Sequence, residues 1–293
     1  MIRTLSTAAI ALAIPCSALA QDEPGEATRM QMAQDAQATA QLMAEVQQAV
    51  GIAQIQYSGM TGQLPDAAYR GAVALPGSEE GVWDTVIIGS LGGALDAQLV
   101  ALAEYEISGG QIVSEVIHLP GQTPLIDGQV AAMAEARAIA PRAILAAGNN
   151  VFCADDSEGA GGTPSVTFAT IVLPPREDGS FDAYVLNGPI EEGAIPLGKH
   201  FLVSFDAFGL SGEPLLVTDT CEVITWDADN PDLAMSVYVT EYDGPAPTPV
   251  HAFVSSLLPM SMGVVTGDII WPMADGEIAA PVPAAEAGYA PAE

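Results

Sequence analysis

The chain has 293 residues, a formal net charge of −30 and only seven lysine and arginine residues, although charged residues make up just 15% of it. The negative charge arises because basic residues are scarce, and not because acidic residues are unusually abundant. The composition disfavours nucleic acid and anionic membrane surfaces as partners, because both are bound through clustered lysine and arginine. A cation or a basic partner is compatible with this charge.

The first twenty residues have the layout of a secretory signal peptide. Arg3 precedes an apolar run over residues 5–14, and Ala18-Leu19-Ala20 supplies small residues at the recognition positions. The run is too short to span a bilayer. We expect cleavage after Ala20, a periplasmic or secreted mature chain, and no transmembrane segment in it. The alternative, a lipoprotein anchored through Cys16, lacks the small residue required directly before the cysteine.

Export decides how the three cysteines are interpreted. Cys16 leaves with the signal peptide, so Cys153 and Cys221 remain as an even pair in an oxidising compartment, the usual setting of a structural disulfide. A bridge across this separation would stabilise the fold by about 4 kcal/mol through loop-closure entropy. The alternative is a nucleophilic Cys153, which needs a free thiol where thiols are normally oxidised.

The N-terminal half is predicted to contain two helices and a short β-meander. Residues 26–50 have helical spacing, and residues 126–147 form a helix starting near Asp127, in which Pro141 should kink or end the regular part. Residues 59–80 carry turn signals and are predicted as a loop. The predicted strands of the meander are 82–89, 99–107 and 111–119.

From about residue 150 the pattern becomes strand-rich. Residues 248–258 fit either a short helix opened by Thr248-Pro249 or an edge strand, and both remain open. The Ala-, Pro- and Glu-rich residues 279–293 are predicted as a disordered tail. The predicted strands are 166–173, 181–186, 200–208, 215–226, 235–241 and 264–271.

These elements predict an α+β protein. A signal peptide over residues 1–20 is followed by a helix-bearing region over 21–150 that includes the short meander. A mainly antiparallel β region with one disulfide spans 151–278, and the tail follows it.

Sequence signals for hydrolase chemistry are incomplete. Ser90 follows an apolar run, and a glycine stands two residues after it, as in the nucleophile elbow of serine hydrolases. The first glycine of that motif is replaced by Ile88. A plain turn at the end of a strand is therefore the favoured interpretation. His200 shares a strand face with Ser204, yet about 13 Å of strand separates them. A catalytic partner would therefore come from a neighbouring strand. His200 and His251 remain candidates for a secreted hydrolase, with a structural role as the alternative.

Two acidic loops are candidate calcium ligands. Neither has the alternating oxygen ligands and the glycine of a helix-loop-helix calcium site, so solvated loop acids are the alternative interpretation. No cofactor is predicted apart from this candidate calcium. The loops contain Asp155, Asp156 and Glu158 in the first, and Asp227, Asp229 and Asp232 in the second.

One set of segments resembles a pattern in a group of exported bacterial proteins of unknown function. The segments are Phe152-Cys153, Ala183-Tyr184-Val185-Leu186, Gly198-Lys199-His200-Phe201 and Thr220-Cys221. The group would carry a sequence near Gly-Gly-His-Tyr-Arg-Val, from which Lys199, Phe201 and Leu202 depart. The resemblance covers about a third of the chain, implies a Cys153–Cys221 pair and carries no activity.

The function favoured by these observations is non-catalytic. We expect a periplasmic or secreted binding module, or an envelope-associated one, whose partner is an unidentified protein or envelope component. The alternatives are a secreted hydrolase with a site around His200 or His251, and a calcium-dependent adhesion module.

Overall fold

The computed structural model describes residues 24–60, 67–92, 97–153, 166–230 and 237–289. In these ranges the chain is an α+β fold, which confirms the predicted class. The helices are α1 (Glu26–Ser58), α2 (Gly128–Ala146) and α3 (Pro249–Ser255). The strands are β1 (Ala68–Pro76), β2 (Val82–Leu91), β3 (Gln98–Ser108), β4 (Gln111–Ile117), β5 (Thr167–Val172), β6 (Phe181–Gly188), β7 (Ala194–Pro196), β8 (His200–Phe205), β9 (Leu215–Thr218), β10 (Val223–Thr225), β11 (Val237–Glu241), β12 (Ser261–Thr266), β13 (Ile269–Ala274), β14 (Glu277–Ile278) and β15 (Val282–Pro283).

The first sheet is an antiparallel meander of β1, β2, β3 and β4 in that order. A short segment continues the line of β4 along β3: Ala101 N–H donates to the Pro124 carbonyl oxygen at 3.0 Å, and Ile126 N–H donates to the Leu99 carbonyl oxygen at 3.1 Å. β4 and this segment together form the edge of the sheet next to β3.

Three further sheets form the C-terminal half. β5, β6, β8 and β9 make a second antiparallel sheet, and β7 pairs with β10. In the last sheet β11 runs parallel to β12, β12 pairs with β13, and β13 pairs with both β14 and β15. The mainly antiparallel pairing agrees with the sequence prediction.

The two long helices cover two separate apolar cores. α1 packs against β1, β2 and α3, and its buried face is rich in alanine, which lets the helix approach closely. α2 packs against β1 of the first sheet and β5, β6 and β8 of the second, so it joins the two sheets. The face of α1 contains Ala33, Ala36, Ala40, Met43, Val46, Ala49, Val50 and Ala53. The core under α2 includes Val73, Ile88, Met133, Ile144, Phe181, Phe201 and Phe205.

Arg137 of α2 connects the edges of the two sheets. Its Nη1 donates to the Thr170 carbonyl oxygen of β5 at 2.8 Å. A Cβ on Gly71 of β1 would lie 2.7 Å from Arg137 Nε, and Gly71 has φ +112°. Burial lowers the pKa of Arg137. Only glycine therefore suits this bulge in β1.

The predicted loop over residues 59–80 was wrong where strand β1 lies. β1 occupies residues 68–76, with a bulge between Tyr69 and Gly71 and two small buried residues, Ala72 and Ala74, beneath α1. Alanine and glycine give little hydrophobic alternation, so the strand is hidden in the sequence.

Two predicted strands are divided in the structure. Residues 264–271 are parts of β12 and β13, joined by a turn in which Gly267 has φ +63°. Residues 215–226 contain β9 and β10, which belong to different sheets. Continuous β-branched sequence predicts extended chain, but it does not show where the chain leaves one sheet for another.

The helices differ from the predictions in length. α1 continues to Ser58, beyond the predicted end near residue 50. α2 begins after Asp127 as predicted but runs through Pro141 to Ala146, so the proline does not end it. The open choice for residues 248–258 is resolved as the helix α3, whose N-cap is Thr248.

Residues 279–289 pack onto the fold, whereas the sequence predicted a disordered tail from residue 279. β15 pairs with β13, and Ala284 is buried. The Tyr289 hydroxyl donates to Glu241 Oε1 at 2.6 Å. Composition alone suggested disorder, because it does not reveal that β13 offers a strand edge to this segment.

Candidate functional site

Cys153 and Cys221 form the predicted disulfide. Their Cα atoms lie 5.5 Å apart across 68 residues of sequence. The bond ties the chain after α2 to the segment between β9 and β10. Neither sulfur is a free thiol, so the alternative of a Cys153 nucleophile is excluded in this structure.

His200 lies in the protein interior with no exposed surface. The Asn187 N–H donates to its Nδ1 at 2.9 Å, so its Nε2 carries the proton and donates to the Pro196 carbonyl oxygen at 3.1 Å. Burial lowers the pKa of His200 to about 4, against the opposing effect of the Pro196 carbonyl. Both ring nitrogens are thus used in holding β6 and β7 against β8.

His251 is equally buried, in the first turn of α3. The Thr248 N–H donates to its Nδ1 at 3.1 Å, and the ring packs edge-on to Tyr242 with centroids 5.0 Å apart. Its Nε2 has no hydrogen-bond partner among the described residues. Burial, and secondly the nearby His200, lower the pKa of His251 to about 3. The ring caps α3 instead of facing solvent.

The serines do not join these histidines. Ser90 lies inside β2, which continues to Leu91, so it is not on the strand-ending turn predicted from the sequence. It is buried, and its Oγ accepts from Arg70 Nε at 2.8 Å. Ser204 donates to Asp182 Oδ1 at 2.7 Å, from the neighbouring strand β6. Each described histidine bonds elsewhere, so no serine–histidine pair forms.

The acidic loops are only partly described. Asp155, Asp156, Glu158 and Asp232 lie outside the described residues. Asp227 accepts from the Asp229 N–H at 3.0 Å and from Asn230 Nδ2 at 3.0 Å, so its carboxylate closes its own turn. Within the described ranges, no group of three or more histidine, cysteine or acidic residues is arranged to hold a metal ion.

Strand β4 is at least partly exposed along its whole length. None of its seven residues is buried, and the Val113 and Val116 side chains are 60% and 50% exposed. β4 pairs only with β3 among the described residues, so the backbone N–H and C=O groups on its other side are free to pair. We call this side of Gln111–Ile117 the β4 edge.

Beside the β4 edge, the sheet surface opposite α1 carries three carboxylates. In the strand register Asp84 lies directly opposite Glu106, and Glu106 lies opposite Ser114. Glu104 lies opposite Val116 and is 2.8 Å from His118 Nε2. The three carboxylates line a shallow cavity of about 240 Å³ together with Val86, Ser114 and Val116. We call Asp84, Glu104 and Glu106 the acidic face.

The acidic face has an unfavourable like-charge pair. The carboxylates of Asp84 and Glu106 form no ion pair or hydrogen bond with any described residue, and directly opposite carboxylates on neighbouring strands repel each other. A positive charge brought to this surface would therefore be attracted by both groups. Nearby Val86 and Val116 offer apolar contact on the same side.

The acidic face was not among the sites predicted from the sequence. The signal was the alternation of Asp84, Glu104 and Glu106 with apolar residues in two strands that were correctly predicted. The cross-strand register, which brings Asp84 opposite Glu106, depends on turns and a bulge that the alternation does not determine.

Among the described residues, every helix is too short or too polar to cross a membrane. Comparison of the chain with protein-family models, with curated proteins and with solved structures found no match in any of the three.

Proposed function

We propose that the protein is an exported, non-catalytic binding module that takes up an extended, basic segment of a partner protein along the β4 edge. The observation that carries the proposal is the edge of β4, which pairs with no second strand among the described residues and has no buried residue. An extended segment added there would satisfy the free backbone groups, and its alternate side chains would face the sheet surface.

The β4 edge lacks most of the features by which proteins protect an edge strand. It contains no proline and no lysine, and Glu115 is its only charged residue. A bulge at Val113 interrupts the register with β3, yet the valine itself is 60% exposed. A long exposed edge with apolar side chains favours pairing with another chain.

Charge favours a basic occupant. The acidic face presents Asp84 and Glu106 without basic partners among the described residues, beside Val116 of the β4 edge. A second copy of this chain is disfavoured, because each copy carries a formal net charge of −30. Basic side chains at alternate positions of an added strand would lie on the same sheet surface as the carboxylates and would be attracted to them across β4.

Two observations support export. The N-terminal sequence has the signal-peptide layout, and the Cys153–Cys221 disulfide is typical of proteins that fold in oxidising compartments. Non-catalytic function is supported by the enclosure of His200 and His251, because a substrate has no path to either ring in the described fold.

A peptide of defined charge tests the proposal. The probe is a capped peptide of alternating lysine and valine, as long as β4, and the control peptide replaces lysine with glutamate. Hydrogen exchange of the mature protein should show amide protection in β4 with the lysine peptide only, and binding should weaken as salt increases.

A matched pair of variants localises the binding. Val116→Lys places a repelling charge beside the β4 edge, whereas Val223→Lys makes the same change on β10 at a side chain of similar exposure, 53%. Val116→Lys should weaken binding of the lysine peptide by about tenfold or more, and Val223→Lys should leave that binding unchanged. Binding without protection of β4, or equal loss in both variants, would overturn the proposal.

A further inference from the structure

A second cavity lies between the start of α1 and the last sheet. It has a volume of about 260 Å³, which is slightly below the range of cavities that hold drug-sized ligands. Its wall comes from the ladder in which Ile269 pairs with Pro283 and Ile270 pairs with Val282. The lining consists of Glu26, Arg29, Ile269, Trp271, Pro281, Val282 and Pro283.

The cavity brings together one positive and one negative side chain. Glu26 and Arg29 are three residues apart in the first turn of α1, so their side chains are neighbours on one helix face. Nevertheless, neither forms an ion pair or a side-chain hydrogen bond with any described residue. Arg29 Nε is buried and has no acceptor there, which leaves a donor unsatisfied.

The remaining lining is apolar. Trp271 is fully buried, and its indole N–H already donates to Thr266 Oγ1 at 2.9 Å, so it offers a ring and no spare donor. Ile269 is partly exposed and Val282 is exposed, and the ladder between β13 and β15 holds both in place. A ligand here would meet apolar walls and one pair of opposite charges.

We propose that this cavity binds a small zwitterion with an apolar side chain, of the α-amino acid class. The ligand carboxylate would accept from the Arg29 guanidinium, its ammonium would donate to Glu26, and its side chain would lie against Ile269 and Val282. A zwitterion carries no net charge, so the strongly negative field of the chain does not repel it, as it would repel a simple anion.

The probes are L-valine, L-leucine and L-phenylalanine, titrated into the mature protein by calorimetry. At least one should bind, and the melting temperature should keep rising with the logarithm of its concentration once that exceeds the dissociation constant. The N-acetyl derivative, which lacks the ammonium, and the amide, which lacks the carboxylate, should each bind about tenfold or more weakly.

Two substitutions separate the roles of the charges. Arg29→Gln should weaken binding of the amino acid by about tenfold or more, and the variant should no longer prefer the amino acid over its amide. Glu26→Gln should abolish the preference over the N-acetyl derivative. Arg142→Gln, at an exposed arginine of α2, is the matched control and should bind as the unaltered protein does. Circular dichroism and melting temperature establish that each variant is folded.

Binding of none of the three amino acids, or unchanged binding by Arg29→Gln, would overturn this inference. The result is independent of the β4 edge, because Val116→Lys leaves the second cavity intact. Loss of peptide binding with retained amino acid binding would therefore contradict only the proposed function, and the reverse pattern would contradict only the zwitterion site.

Discussion

Gly198 and Thr220 approach so closely that a Cβ atom on residue 198 would lie 1.6 Å from the Thr220 carbonyl oxygen. Thr220 Oγ1 also donates to the Leu197 carbonyl oxygen at 3.1 Å, and Thr220 directly precedes Cys221 of the disulfide. Lys199, which follows Gly198, has φ +58° and forms an ion pair with Asp219. The Gly198-Lys199-His200 sequence thus holds the start of β8 against the disulfide-bearing segment.

Gly198→Ala should destabilise the protein by about 3 kcal/mol or more, because the new methyl group can be accommodated only if the backbone around Thr220 moves. Urea unfolding measures the change. Gly51→Ala is the matched control: a Cβ there meets nothing within 4 Å inside α1, so it should stabilise the protein by about 0.5–1 kcal/mol. A Gly198→Ala protein as stable as the original would contradict the close contact.

Removal of the disulfide should lower the free energy of unfolding substantially. The bond closes a loop of 68 residues, so a Cys153→Ala, Cys221→Ala double variant should lose about 4 kcal/mol, within a usual range of about 2–5 kcal/mol. Urea unfolding of the variant and of the oxidised protein gives the difference. An alkylating reagent should label the native protein only after reduction; labelling beforehand would show that the bond is absent.

Stability should fall as the pH decreases below about 6.5. Burial lowers the pKa of His200 to about 4 and, with His200 nearby, that of His251 to about 3, whereas an unfolded histidine titrates near 6.5. Between these values the unfolded chain binds more protons than the folded one. Each buried histidine therefore lowers the free energy of unfolding by up to about 1.4 kcal/mol for each pH unit below pH 6.5.

Unfolding free energies measured between pH 7 and pH 5 test this dependence. His251→Gln should be less stable at pH 7, because α3 loses its cap, but should show a shallower decrease with falling pH, because one proton-binding group has been removed. His118→Gln, at a histidine that pairs with Glu104 on the sheet surface, is the control. An unchanged slope in His251→Gln would contradict the buried neutral imidazole.

Added salt should stabilise the protein. Its formal net charge is −30, and three ion pairs, one of them involving a histidine, join the described residues, so repulsion between carboxylates outweighs attraction. Screening that repulsion with sodium chloride should raise the melting temperature. Sucrose, which stabilises without screening charge, separates this effect from preferential exclusion. A melting temperature that falls with salt would contradict the prediction.

Local sequence patterns were sufficient for the elements whose alternation or helical spacing is strong. β2, β3 and β6 were predicted within a few residues, since large apolar side chains recur along them, and α1 began where predicted. β1 was missed because its buried residues are alanines and a bulged glycine. The boundary between β12 and β13 was missed because a two-residue turn interrupts an otherwise continuous apolar run.

The sequence by itself determined the α+β class, the strongly acidic charge and the pairing of Cys153 with Cys221, because these follow from composition, short-range periodicity and an even cysteine count. Only the tertiary structure decided that His200 and His251 are enclosed, that Asp84 lies opposite Glu106, and that Glu26 and Arg29 line one cavity with β13 and β15. Burial and cross-strand register arise from contacts between residues far apart in the chain, and local patterns do not encode which distant segments meet.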